Sequence, residues 1–301
     1  METLKTAVIG TGNMGRHHVR VYSELPESEL VGIADIDLKQ AQEYASKYNT
    51  NAYKDYKEML SKEKPDCVSI AVPTGLHTPI GLETLAKTNT LIEKPIAENR
   101  ENADKLIQKS REQDKKLMIG QIERFNPAVQ YIKENFPSED LLALNIMRLG
   151  IAPPPTTTTG VILDLSIHDI DLFRYLTKEE IVDAKSCSKN LGATDFEDHA
   201  HLFLQTENNK TASLIANWIN PRKVRHMYIT MKKSFLYANF ITQKIIIYKP
   251  NGEEKTTIEV PHKEPLKEEI KEFISSIKEN REPIVTGEDA KETLLIALKA
   301  K

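Results

Sequence analysis

An apolar run that ends in glycines at positions 10, 12 and 15 leaves this chain few ways to fold. The segment reads Leu4-Lys5-Thr6-Ala7-Val8-Ile9-Gly10-Thr11-Gly12-Asn13-Met14-Gly15 and continues into a helix-compatible stretch up to about Glu24. A second apolar run, Leu30-Val31-Gly32-Ile33-Ala34, closes on Asp35. Each part has a mechanical job in cradling a dinucleotide. Gly10 permits the tight turn off the strand, Gly12 lets the backbone approach a pyrophosphate, and Gly15 lets helix and strand pack closely. Asn13 and Met14 lie where the free N–H groups of a helix start face the anion. Asp35, at the tip of the second strand, can accept hydrogen bonds from an adenosine ribose. A glycine turn of purely structural meaning is the alternative, but it does not require strand, glycines, helix, strand and acid in this register. The cofactor expected is NAD rather than NADP, because Asp35 would repel a 2′-phosphate, with Lys39 the one nearby cation of opposite tendency.

Up to about Ile122, short apolar runs alternate with helical patterns, the signature of a parallel sheet with crossover helices. Cys67–Val72, Thr90–Ile92 and Lys116–Ile119 read as strands. Leu38–Tyr48, Leu76–Lys87 and Asn99–Gln113 read as helices. The strands are continuously apolar, as in a sheet covered on both faces. Beyond that point the texture changes. Leu141–Leu149, His201–Gln205, Ala212–Trp218, Met227–Lys232 and Lys244–Tyr248 are β-rich, many of them alternating, with polar turns such as Pro250-Asn251-Gly252 between them. They predict a mostly antiparallel sheet with one face open for packing against another subunit. A helix over Asp164 to about Thr177 interrupts this region, and helices over Leu266–Asn280 and from Glu288 follow it. The last has no Gly or Pro stop before Lys301. Pro153-Pro154-Pro155-Thr156-Thr157-Thr158-Thr159-Gly160 reads as a loop. The expectation is therefore an α/β chain. Residues 1–122 form a doubly wound parallel domain, and residues 123–301 form an α+β domain with an open-faced sheet, the final helix able to pack back on the first domain.

Composition excludes several partners. With 301 residues, 40% apolar and 28% charged, the chain has ample core for two domains. A net charge of -3 gives no reason to expect nucleic acid or an anionic membrane as partner. No run approaches the ~20 apolar residues of a membrane span, and the first residues lead straight into a strand without a basic leader, so a cytoplasmic protein is expected. Cys67 and Cys187 are the only cysteines. No disulfide framework follows, and Cys67, inside an apolar run, reads as buried. No metal site is expected: His199-Ala200-His201 lacks a third clustered ligand. His17 and His18 read as structural residues of the first helix.

Glu93-Lys94-Pro95 directly follows a strand, and ligands of a doubly wound sheet sit at the carboxyl ends of strands. Lys94 should therefore project into the crevice, where an amine could stabilise negative charge developing on a hydroxyl oxygen. The plainer alternative is a strand-end lysine paired with a carboxylate. Further along, Asp164, His168 and Asp171 are spaced i, i+4, i+7 and share one helical face. Histidine is a suitable proton acceptor near neutral pH, and a neighbouring carboxylate would orient it. Alternatively Asp164 is an N-cap and His168 a satisfied core residue. Arg124 and Arg148 could meet a substrate phosphate or pair with acids.

Taken together, the glycine fingerprint, the turn Pro73-Thr74-Gly75-Leu76-His77, the triplet Glu93-Lys94-Pro95, the phrase Arg124-Phe125-Asn126-Pro127 and the pair Asp164-x-x-x-His168 resemble the glucose-fructose oxidoreductase/inositol dehydrogenase family over most of the chain. The resemblance implies an N-terminal Rossmann domain, a C-terminal α/β domain whose open sheet makes a homodimer or homotetramer, and a lysine–aspartate–histidine active site at Lys94, Asp164 and His168. It also places Pro73, Thr74, His77 and Glu93 along the cofactor, with Gln121 at the end of the last strand beside them. Arg124, Asn126, Arg148 and Asp171 are then the substrate-side candidates. Within the family, Gly120 to Pro127 together with Asp164 to Asp171 looks most like the branch that oxidises C3 of UDP-N-acetylglucosamine. The loop ahead of the helix departs from that branch, carrying Thr156 to Thr159 where a basic residue could have met a diphosphate. Oxidation of a sugar or sugar-nucleotide hydroxyl is thus the first expectation. An inositol or other polyol substrate is the second, and a non-catalytic dinucleotide-binding regulator the third, disfavoured because a sensor needs neither Lys94 nor His168.

Overall fold

In the computed structural model, which describes residues 3–153, 159–250 and 255–301, the chain divides into two units. The first comprises Met1–Gln121 and Leu266–Glu292; the second comprises Ile122–Pro265 and Thr293–Lys301. The first unit begins with β1 (Leu4–Ile9), α1 (Gly15–Glu24), β2 (Ser28–Ala34), α2 (Leu38–Tyr48), β3 (Asn51–Tyr53) and α3 (Tyr56–Glu63). It continues with β4 (Cys67–Ile70), α4 (His77–Leu85), β5 (Asn89–Glu93), α5 (Arg100–Glu112) and β6 (Leu117–Gly120). The strands are parallel in the order β3-β2-β1-β4-β5-β6. The order reverses between β1 and β4, which is where a doubly wound sheet opens a crevice at its carboxyl edge. Local chemistry sets the helix starts. Asp37 accepts from the Lys39 and Gln40 N–H groups at the head of α2, Asp55 from Lys57 at α3, and Asn99 from Asn102 at α5. β4 is buried along its whole length, Cys67 included.

The second unit holds α6 (Pro127–Asn135), β7 (Leu141–Leu149), a π-helical turn over Ile162–Ser166, and α7 (Ile167–Thr177). The rest of its sheet is β8 (Ile181–Lys189), β9 (His199–Thr206), β10 (Thr211–Asn217), β11 (Val224–Met231), β12 (Phe235–Asn239), β13 (Lys244–Tyr248) and β14 (Lys255–Glu259). The sheet runs β14-β13-β12-β11-β7-β10-β9-β8, and only the β7/β10 pair is parallel. Its two faces differ. Leu144, Ile146, Leu202, Leu204, Leu214, Met227, Ile229 and Leu236 are buried on one, whereas Phe203, Tyr228, Phe235 and Tyr237 on the other remain partly or largely exposed. The open face carries a row of rings: Tyr228 lies 6.0 Å from Phe235 and 5.2 Å from Tyr237, and Phe235 lies 6.0 Å from Tyr248, centroid to centroid.

The chain closes with α8 (Pro265–Lys278) and α9 (Gly287–Ala300). The second unit is therefore not the unbroken 123–301 of the sequence expectation. From Leu266 onward α8 belongs to the first unit, burying Leu266, Ile270, Phe273 and Ile274, and residues before α9 extend the edge beside β6, where Ile119 donates to the Val285 carbonyl at 3.2 Å. The final helix is divided: α9 up to Glu292 belongs to the first unit with α8, while Thr293–Lys301 stays with the second unit. The sequence reading also passed over β3, α3, α6, β8, β12 and β14. The expected loop over Pro153–Gly160 and the turn Pro250-Asn251-Gly252 lie largely outside the described residues. Among the described residues no helix is long and apolar enough to cross a membrane.

Candidate functional site

The glycine loop joins the end of β1 to the start of α1. Gly10 has φ +89°, and a Cβ there would lie 2.4 Å from the Ala71 carbonyl oxygen. A Cβ on Gly15 would lie 1.9 Å from the Gly10 carbonyl oxygen, so this residue sets how closely the helix approaches the turn. Gly12 and Asn13 are exposed, and a Cβ on Gly12 would meet nothing within 4 Å. Met14 is the N-cap of α1, and no side chain caps that end. Asp35 has a task the sequence did not reveal. Its Oδ2 accepts from Thr11 N (2.6 Å) and Thr11 Oγ1 (2.8 Å), and its Oδ1 from Asp37 N (2.9 Å), which pins the loop to the end of β2. A carboxylate has about four acceptor directions, so capacity for a ribose hydroxyl remains. Ile36 beside it is 86% exposed, an apolar platform that suits an aromatic base. An open approach over Gly12, an uncapped helix start and an acid at the second strand tip fit a dinucleotide.

Around the carboxyl ends of β4, β5 and β6 the expected residues separate into two groups. Pro73 is exposed and Thr74 half-buried in the turn after β4, and Lys94 is the half-exposed side chain between buried Glu93 and Pro95, with the Lys94–Pro95 peptide cis. Gln121 is 1% exposed and neither its amide oxygen nor its nitrogen has a protein partner, as for a group that faces a ligand. His77 and Glu93, expected along the cofactor, have buried side chains bonded to other protein groups. The His77 ring nitrogens lie 2.8 Å from the Pro95 carbonyl and 2.9 Å from the Val72 carbonyl, and the ring ties those two turns together. Glu93 turns away into the core, where its Oε1 is 2.9 Å from His18 Nε2. Glu269 of α8 joins them, one ligand-type atom of each residue lying within 4.8 Å of the others. Such a trio can hold a cation or share protons, and the His18–Glu93 hydrogen bond favours sharing. Burial raises a carboxylate, but the hydrogen bond and charge of His18, with Lys94 and His77, outweigh it at Glu93 and hold that group below its ordinary value. Glu269 lacks such a partner, and burial pushes it well up.

In the second unit the helix expected from Asp164 to Thr177 is two pieces. The Ile167 N–H reaches back to the Ile162 carbonyl across a widened turn, and regular helix begins only there. Asp164 is half-exposed inside that turn, so it is not an N-cap of α7, and His168 is 8% exposed one residue into the regular helix. Single π turns of this kind often mark functional positions. Asp171 is enclosed more completely still. It is 1% exposed and takes both Arg124 Nε and an Arg124 terminal nitrogen at 2.7 Å. Arg148 is likewise enclosed: Nε and one terminal nitrogen bond Asp169 Oδ1 at 2.9 and 2.7 Å, and the other bonds Glu123 Oε1 at 2.6 Å. Burial opposes its charge, but these two carboxylates outweigh that and keep the guanidinium firmly protonated. Asn126 caps α6 through Ala128 N and donates to the Phe240 carbonyl at 3.1 Å. Arg124, Asn126, Arg148 and Asp171, the substrate-side candidates, are each buried and engaged within the unit, and for the charged ones a desolvated charge persists only where a partner compensates it. The His199–His201 pair sits on the open sheet face, with His201 Nε2 2.8 Å from Ser213 Oγ.

Residues 4–121 match a family described as an oxidoreductase family with an NAD-binding Rossmann fold, and residues 152–236 match the GFO/IDH/MocA C-terminal domain. The chain is similar to UDP-N-acetylglucosamine 3-dehydrogenase of Acidithiobacillus ferrooxidans, at 29% identity over 99% of this chain and 96% of that protein. A solved structure of that enzyme superposes with a TM-score of 0.92 at 30% identity, covering 99% of this chain and 97% of the other. Myo-inositol 2-dehydrogenase of Thermotoga maritima is 24% identical over 99% of this chain and 95% of that one. An oxidoreductase of Agrobacterium radiobacter, solved with NAD+ and L-tartaric acid, shares the fold with a TM-score of 0.89 at 17% identity, covering 99% of this chain and 95% of that one.

Proposed function

The chain belongs to the Gfo/Idh/MocA family of oxidoreductases with an NAD-binding Rossmann domain, and from that premise we propose that it oxidises a secondary hydroxyl of a sugar, most specifically C3 of UDP-N-acetylglucosamine or a related UDP-sugar. NAD, when bound, supplies the hydride acceptor. Gly10, Gly12, Asn13, Met14 and Gly15 bed its pyrophosphate, Asp35 takes the adenosine ribose with Ile36 under the base, and Pro73, Thr74 and Gln121 border the nicotinamide end. His168 accepts the proton of the substrate hydroxyl, and Lys94 steadies the oxygen as its C–H bond breaks. Asp164, four residues before His168, orients the pair. The observation that carries this reading is the exposure pattern. Lys94 is the half-exposed side chain at a buried strand end, Asp164 lies in a widened turn and His168 just after it in α7, in a chain similar over nearly its full length to a UDP-sugar dehydrogenase.

The similarity to an inositol dehydrogenase keeps a cyclic polyol as the second reading. The deciding experiment follows NADH absorbance on mixing the protein and NAD with UDP-N-acetylglucosamine, other UDP-hexoses, free N-acetylglucosamine and myo-inositol. Turnover of UDP-sugars is expected. Turnover of myo-inositol alone would move the assignment to the polyol, and turnover of none would end it. The open, ring-bearing face of the β7–β14 sheet further supports a homodimer or homotetramer.

A further inference from the structure

Three strand ends meet at one edge of the second unit's sheet: Leu149 of β7 pairs with Asn217 of β10 on one side and Val224 of β11 on the other. The connection into β11 brings three cations close together, Arg222, Lys223 and Arg225. Arg225 lies directly across from Arg148 in the register and therefore on the same face of the sheet, and Lys223 immediately precedes β11. The two arginines are treated very differently. Arg148 has Asp169 and Glu123, whereas one Arg225 terminal nitrogen donates to the Leu149 and Val224 carbonyls at 2.7 and 2.8 Å, and among the described residues no carboxylate forms an ion pair with Arg225, Lys223 or Arg222.

The electrostatic balance agrees with the geometry. Burial, then the Arg148 charge, push Arg225 down to about 10, with Asp169, Glu123 and Asp164 the acids that act on it from around the site. Lys223 is lowered by burial and by Arg225. A half-buried arginine whose charge depresses the more exposed Lys223 beside it makes a site with positive charge in excess, and a dianionic group entering it would favour both cations. The site lies within electrostatic reach of Asp164. The two loops beside it are tied together by the bond from Asn220 N to the Gly150 carbonyl, and they expose Ile151 and Ile219 at 65% and 44%, an apolar rim beside the cations.

We propose that Lys223 and Arg225 form the diphosphate subsite of a sugar-nucleotide substrate, placing its hexose towards Asp164 and His168. This rests on the UDP-sugar reading above and supplies the cations that the threonine loop lacks. Both side chains hold charge where Arg124 and Arg148 are already neutralised.

The test uses the NAD-loaded protein and UDP itself as probe, by calorimetry, so that binding is read apart from turnover. K223M and R225M are each expected to weaken UDP binding about tenfold or more, the size of a lost charge-assisted hydrogen bond. They should raise KM for UDP-N-acetylglucosamine in parallel while kcat moves far less, and R225K should recover part of the loss. Because Arg225 also holds two backbone carbonyls, K223M, which breaks no such contact, guards against a folding defect. UDP affinity unchanged in K223M and R225M, in an enzyme that turns over UDP-sugars, would overturn the subsite and leave the activity standing. Wild-type protein that neither binds UDP nor oxidises a UDP-sugar, yet oxidises myo-inositol, would overturn both.

Discussion

Lys94 is the half-exposed residue in a run from Leu91 to Ala97 that is otherwise buried, and a single amine so placed should matter to chemistry more than to stability. K94A is expected to lower kcat by about a hundredfold or more while NAD binding, followed by fluorescence titration, stays within about twofold. Unchanged turnover would remove Lys94 from the mechanism. Behind it, Glu269 makes a different forecast. The folded protein keeps a proton on Glu269 that the unfolded chain releases once pH passes the ordinary carboxylate range. Its contribution to stability is therefore fully present below that range and is lost as pH climbs towards the raised value. Glu93, held low, acts in the opposite sense: its contribution is present above the ordinary range and is lost as pH falls. E269Q cannot ionise, so its melting temperature should match the wild type near pH 4 and exceed it increasingly towards pH 8, by an amount worth about 1.4 kcal/mol for each unit of elevation. A difference that does not change with pH would show that Glu269 holds no such proton. The glycines and Asp35 were legible from spacing alone, since their roles lie in backbone geometry within one βαβ unit. The buried side chains His77, Glu93 and Asp171 were not, because their partners come from other elements, Glu269 lying 176 residues beyond Glu93.

The elements that the sequence revealed most clearly are those with buried, periodic apolar residues: β1, β2, β4 and α1 in the first unit, β7, β9 and β10 in the second. The ones it concealed sit at margins. β8 and β14 are the two edges of the large sheet, and their residues, Ile181 to Lys189 and Lys255 to Glu259, are mostly polar, as unpaired edges tend to be. β3 and β12 are too short, three and five residues, to show a period. The π turn before α7 was invisible for another reason: the same residues satisfy an ordinary helical pattern, and packing against the sheet chooses the wider turn. The loop between β1 and α1 offers the sharpest element-level forecast. In G15A the new methyl would meet the Gly10 carbonyl, which is backbone and cannot swing aside. NAD affinity should fall about tenfold or more, with a lower melting temperature, since restoring clearance requires moving the phosphate-binding turn. A G15A protein with wild-type affinity would show that Gly15 sets no such distance.

For the molecule as a whole, the open sheet face makes a forecast about assembly. Phe203 is 55% exposed and Phe235, stacked on Tyr228 with Tyr237 beside it, is 38% exposed, and an apolar face of that kind is unusual on a monomer. Light scattering should report a dimer or tetramer, and F203E combined with Y228E should shift it towards monomer without loss of secondary structure. A wild-type monomer would contradict the assignment of this face. What the sequence determined by itself was whatever is written in local periodicity and turn chemistry: a nucleotide-binding parallel half, an antiparallel half, the break between them at about residue 122, and the residue types of a dehydrogenase. Only the tertiary structure decided which charges are neutralised and which remain available, because that depends on distances between segments far apart in the chain. The sequence ranks Arg124, Arg148 and Arg225 alike as cations. Folding gives Asp171 to the first and Asp169 with Glu123 to the second, and leaves the third bonded to two backbone carbonyls, since in a desolvated interior a charge is defined by its neighbours.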